Sequence, residues 1–269
     1  MSRHPTSRTM TGFSLVELMV ALVAGMVVVG AVLAFTVSSV RANTDYVQST
    51  RLMQELRNVT DYMTVELKRA GYDEKAMTYV ANPTSTAVSH FAPMKIDTTA
   101  GTSCILYAYD TAYNSPSGQG LVDLAGGELR GIRRRTATVN GVTGIGVIEV
   151  AVSASGVTPA CDGNQPDYAQ YPVDCNTTSG WCPLSDPRVL DVTAFTVNAT
   201  GSGTDSNGVH DVPGGSTYNA MEQRELQLTV TGALRSDSTL TRTVRSNVKV
   251  RADCLRANVA GCSAAPTAP

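Results

Sequence analysis

Tryptophan occurs once in the 269 residues, phenylalanine four times and histidine three times, and there is no Cys-x-x-Cys, no Gly-x-Ser-x-Gly and no phosphate-binding loop. His4, His90 and His210 fall in unrelated contexts, so neither a zinc site nor a nucleophile–base pair can be assembled from the sequence. This is not the composition of an enzyme, and no metal or cofactor is expected. Proline is missing between Pro5 and Pro83, and only Gly12, Gly25, Gly30 and Gly71 punctuate that stretch. A single helix is therefore predicted from about 13 to 70, on the order of 85 Å long. Charge is missing from Leu18 through Val40, a run long enough to cross a bilayer. Cysteine is missing from everything before Cys104.

Glu17 stands at the start of that uncharged run and needs an explanation. An ionised carboxylate in hydrocarbon costs several kcal/mol and requires a partner. No Lys or Arg lies within one helical turn of it. A cation would be created if the chain were cut just before Phe13, freeing a backbone amine. The bland alternative is a signal anchor whose acidic residue rests at the interface. Ahead of the run, residues 1–12 carry Arg3, His4 and Arg8 and lack the apolar stretch of a secretory signal. Basic residues hold that end in the cytoplasm, which places the rest of the chain on the periplasmic side.

Beyond Arg41 the pattern changes. Leu52, Leu56, Val59, Met63, Leu67 and Ala70 recur at spacings of three and four, mostly separated by charged residues, so one face is expected to be buried under a globular head. Gly71 suits the helix C-cap, with Lys68 and Arg69 opposed to the helix dipole. From Tyr72 the composition turns to Thr, Ser, Gly, Asn and Val, and strands are read at 104–109, 128–135, 145–152, 189–198, 225–234 and 240–251. The last two form an antiparallel hairpin about Arg235-Ser236-Asp237-Ser238. The organisation is thus 1–12 leader, 13–40 membrane helix, 41–71 amphipathic continuation and 72–269 β-rich head, an α+β chain.

Six cysteines, Cys104, Cys161, Cys175, Cys182, Cys254 and Cys262, all lie on the expected oxidising side and are disulfide candidates. Cys254 and Cys262 are expected to bridge, as are two of the three in the loop 161–182; the connectivity is otherwise open. Asp205, Asn207 and Asp211 offer oxygen ligands for calcium, but their spacing fits no standard loop and a solvated surface is the better reading. Arg130, Arg133, Arg134 and Arg135 concentrate positive charge. On a strand Arg133 and Arg135 face one way and Arg134 the other, and the net charge is −2, so nucleic acid is not an expected partner. Trp181, in Ser-Gly-Trp-Cys-Pro, is expected to pack against a disulfide, with exposed adhesive contact as the lesser option.

The segment Gly12-Phe13-Ser14-Leu15-Val16-Glu17 resembles the processing site of type IV prepilins and type II secretion pseudopilins. The resemblance implies cleavage after Gly12 by a prepilin peptidase, N-methylation of Phe13, and pairing of Glu17 with the Phe13 amine of a neighbour in a filament core. Tyr62-Met63-Thr64-Val65-Glu66-Leu67-Lys68-Arg69-Ala70-Gly71-Tyr72, Cys104-Ile105-Leu106-Tyr107-Ala108-Tyr109-Asp110, Glu128-Leu129-Arg130-Gly131, Leu184-Ser185-Asp186-Pro187-Arg188-Val189 and the terminal hairpin resemble the PilW-type minor pilins, whose secretion-system relatives are the J-type pseudopilins. That implies a pilin-like fold, and a tip-complex scaffold in contact with the other minor pilins, the major pilin, the assembly platform and the inner membrane. The family's roles in priming pilus assembly, adhesion, twitching motility or DNA uptake follow as expectations, with a J-type pseudopilin as the alternative. Segments 152–182 and 201–220 find no place in the resemblance.

Overall fold

Freedom from proline lets the chain form one helix, α1 (Leu15–Arg69), of 55 residues. The computed structural model describes residues 12, 14–76, 89–98, 103–111, 121–199, 204–205 and 219–257. Contacts divide the chain into two compact units, up to Gln48 and from Ser49.

In the N-terminal unit every described side chain from 14 to 47 is exposed. The Thr36 and Thr44 hydroxyls donate to the Val32 and Val40 carbonyls at 2.8 and 2.9 Å, so both polar groups are satisfied inside the helix. A helix this apolar with no protein surface over it has the length and composition of a membrane anchor.

The C-terminal unit is built on the amphipathic part of α1. Leu52, Leu56, Val59, Met63, Leu67 and Ala70 are all buried, as the spacing predicts. They pack on two antiparallel sheets. The first runs in the order β1 (Met94–Asp97), β2 (Cys104–Ala108), β3 (Leu129–Val139), β4 (Val142–Val152) and β5 (Trp181–Pro183). The second is ordered β10 (Asp237–Lys249), β9 (Glu225–Leu234) and β6 (Leu190–Ala199), after which a small third sheet joins β11 (Cys254–Ala257), β8 (Asn219–Glu222) and β7 (Thr204–Asp205). Ile105, Tyr107, Ile132 and Ile148 from the first sheet and Phe195, Leu228 and Val230 from the second meet the helix in one core. The architecture is α+β, a long apolar N-terminal helix with antiparallel sheets, consistent with a pilin-like fold.

All six expected strands are present, with β3, β4 and β10 reaching beyond the expected bounds, and the short strands β1, β5, β7, β8 and β11 are additional to them. β3 and β4 are longer than alternation indicates and are joined by Asn140-Gly141, both at positive φ (48° and 82°), the two-residue turn that Asn-Gly favours. The final hairpin turns more tightly than Arg235-Ser236-Asp237-Ser238, since Asp237 already pairs with Leu234. The two large sheets touch where β4 crosses β6. There the Gly146 amide donates to the Asp191 carboxylate at 2.8 Å, and a Cβ on Gly146 would stand 1.9 Å from the Val192 carbonyl oxygen. Only glycine lets the backbones approach that closely.

Candidate functional site

The residues singled out at the N-terminus lie at the start of α1. Gly12 and Ser14 are exposed, and the helix begins with the Leu18 amide donating to the Ser14 carbonyl at 3.1 Å. Glu17 is the acidic residue of the first turn, where the unpaired amides of a helix N-terminus favour negative charge. Its carboxylate is exposed, in the same exposed apolar surface as Leu15, Val16, Leu18 and Met19. Phe13 lies outside the described residues, so the structure leaves the cleavage site's chemistry to the sequence.

Four of the six candidate cysteines form two bridges, Cys104–Cys161 and Cys175–Cys182. The first closes a separation of 57 residues and the second of 7. On the chain-entropy account these stabilise by about 4 and about 2.5 kcal/mol. Cys254 begins β11, whereas Cys262 lies outside the described residues, and with it the expected C-terminal bridge. Of the calcium candidates, Asp205 falls in β7, and Asn207 and Asp211 are likewise outside.

The arginine run forms no surface patch. Cross-strand pairing aligns Cys104, Arg133, Glu149 and Pro183 in one row and Leu106, Gly131, Ala151 and Trp181 in another. Rows alternate faces in steps of two, so both lie on the face turned away from α1. Arg133 is 1% exposed and Glu149 0%, and Nε donates to the carboxylate at 2.7 Å. Tyr168 donates to the other Glu149 oxygen at 2.9 Å, and Arg133 Nη1 donates to the Cys161 and Gly163 carbonyls at 3.0 and 2.7 Å. The guanidinium carbon sits 3.9 Å from the centroid of the Trp181 ring, whose Nε1 donates to the Ala160 carbonyl at 3.0 Å. Burial pushes the Glu149 carboxyl above the usual carboxylate range against the pull of Arg133, and pushes the Arg133 guanidinium down. Together with Cys104–Cys161, this cluster fastens the segment 153–180 over the sheet. Trp181 is fully buried beside that disulfide, the expected core role.

Two of the other three arginines are used as well. Arg134 Nε donates to the Val192 carbonyl where the sheets meet, and Arg130 reaches Glu66 of α1 at 3.2 Å. Glu66, 6% exposed, also accepts from Tyr109 at 3.1 Å. Sequence reasoning missed this carboxylate as a core residue. The signal was present, because Leu52, Val59 and Glu66 are spaced by seven and share a helix face.

No curated protein and no solved structure matches this chain. A family model described as prepilin peptidase-dependent protein B matches residues 45–250. The match begins past the apolar run and takes in the amphipathic helix, both large sheets and the disulfide-held segment. It rests on the C-terminal unit, independently of the N-terminal motif that pointed the same way. The chain belongs to the prepilin peptidase-dependent protein B family.

Proposed function

We propose that this chain is a minor subunit of a type IV pilus, of the PilW type, which joins other minor pilins in a tip complex and primes assembly of the major pilin. The observation that carries the reading is Glu17, an acidic residue at the head of an exposed apolar helix that carries no further charge from Leu18 to Val40. An isolated anchor has no use for that carboxylate, whereas a helix that packs among copies each bearing a free amine does. Membership of a family named for dependence on prepilin peptidase supports processing and a pilus-type system. On this reading the subunit is a scaffold without catalytic activity. It is held in the inner membrane by one span, with its C-terminal unit in the periplasm, until it enters the pilus. Adhesion, twitching motility and DNA uptake would depend on it through the filament.

Deleting the gene and counting surface pili by electron microscopy, with and without a retraction block, tests the assignment. Pili should be lost and partly restored when retraction is blocked. Unchanged pili with failed export of a secreted enzyme would instead identify a J-type pseudopilin of a type II secretion system.

A second expectation concerns processing. Cleavage falls between Gly12 and Phe13, because a basic leader ends in glycine there and the carboxylate then stands fifth in the mature chain. Mass spectrometry of membrane-extracted protein should find N-methylated Phe13 as the first residue. An intact Met1 or Ser2 start in a peptidase-positive strain would contradict it.

A further inference from the structure

Where α1 ends, three chain segments enclose a cleft of about 440 Å³, lined by Lys68, Arg69 and Tyr72 from the helix end, Tyr109 and Asp110 beyond β2, and Arg251 beyond β10. That volume is within the ~300–1,000 Å³ of ordinary ligand pockets. Main-chain hydrogen bonds fix its walls. The Arg251 amide donates to the Lys68 carbonyl at 3.3 Å, Gly71 to Ala108 at 2.7 Å, and Asp110 to Tyr72 at 2.9 Å. A cleft built this way is preformed, and a ligand would not bear the cost of ordering it.

Its charges are unbalanced. Arg69 is engaged by Glu66 at 3.4 Å, and the Asp110 carboxylate accepts from the Glu74 amide at 3.3 Å. The Lys68 ammonium and the Arg251 guanidinium have no ion-pair partner among the described residues, although their backbones are hydrogen-bonded to each other. Both cations line one cleft without a carboxylate partner, and an anion bound there would supply it. Beside them the Tyr72 ring is 53% exposed and Tyr109 forms a buried wall. The site thus offers positive charge next to aromatic surface, matching a carboxylate on an apolar stem. A small inorganic anion would leave the ring and most of the volume unused. Single-stranded nucleic acid asks for successive aromatic platforms along a basic groove, and this cleft has one exposed ring and an acidic residue in its lining.

We infer that this cleft binds an acidic peptide segment of another protein, its carboxylates on Lys68 and Arg251 and an apolar or aromatic side chain against Tyr72. The inference goes beyond the pilus assignment and does not depend on it, since the cleft lies wholly within the C-terminal unit.

The test uses the full chain in detergent and fluorescence anisotropy of a short labelled peptide alternating Glu and Tyr, with a Lys-Tyr peptide and oligothymidylate in parallel. The Glu-Tyr peptide should bind and weaken with salt. Lys68→Glu with Arg251→Glu should weaken it at least about tenfold, a loss of about 1.4 kcal/mol, and admit the Lys-Tyr peptide instead. Should the reversal disturb folding, Lys68→Met with Arg251→Met should still lose the Glu-Tyr peptide, and Tyr72→Ala should weaken it severalfold. No binding of the Glu-Tyr peptide, equal binding by the folded variants, or tighter binding of oligothymidylate that these same variants abolish would each overturn the inference.

Discussion

Replacing Arg133 by methionine is expected to destabilise the C-terminal unit by about 3–5 kcal/mol, because it leaves the Glu149 carboxylate buried without its cation. The melting midpoint should fall by roughly 6–20 °C. The pair itself is a poor source of stability. Both groups are fully buried, and the directions in which burial pushes their ionisation show that desolvation opposes the charges on both. Replacing both partners by apolar residues, Arg133→Met with Glu149→Leu, should therefore cost less than Arg133→Met alone. The single variant should also be sensitive to pH. A carboxyl whose folded pKa is raised above its unfolded value contributes stability that is present at low pH and lost as pH rises through the folded pKa. The deficit of Arg133→Met should accordingly shrink on acidification, as Glu149 takes up a proton. Trp181, the lone tryptophan, lies against this cluster, so its fluorescence follows the unfolding directly. A double variant less stable than Arg133→Met, or a deficit that does not change with pH, would show that the pair is favourable in itself and that this account of it is wrong.

Why the cluster was invisible in the sequence comes down to register. Alternation along 128–135 separates Arg133 and Arg135 from Arg134, and the buried stripe of α1 reads off its own spacing, since both are local patterns. The partner of Arg133 is not local. Counting back from the Asn140-Gly141 turn, with Val139 opposite Val142, would set Arg133 across from Ile148. A register shift between Ala137 and Val139 moves it to Glu149 and so makes the ion pair. The sequence carries no clear mark of that shift. The segment 153–180 was opaque for the same reason: its place depends on the Cys104–Cys161 bridge and on carbonyls received by Arg133, contacts between residues far apart in the chain. Gly146 belongs to this class too, since nothing near it in sequence foretells the β6 backbone across from it.

The N-terminal motif is the reverse case, legible in sequence and silent in a single chain. Glu17 has no side-chain partner among the described residues, so Glu17→Ala should leave the folded, membrane-bound level of the protein near wild type. On the proposed reading its partner is the Phe13 amine of a neighbouring subunit, met among apolar helices where water cannot screen the pair. Removing one member of such a pair strands the other charge, at about 3–5 kcal/mol. Incorporation into sheared pili should then fall by at least about a hundredfold relative to the inner-membrane pool. Glu17→Gln separates charge from shape: it keeps the side-chain volume and a carbonyl acceptor, and it should recover only a small part of the loss if the ionised pair is what recruits the subunit. Quantitative immunoblotting of sheared pili against the membrane fraction, for wild type and both variants, reads the ratio. Wild-type incorporation of Glu17→Ala would mean that the carboxylate rests at the interface of a simple anchor. The apolar helix would then recruit through shape alone, and the N-terminal resemblance would stand without its electrostatic reason.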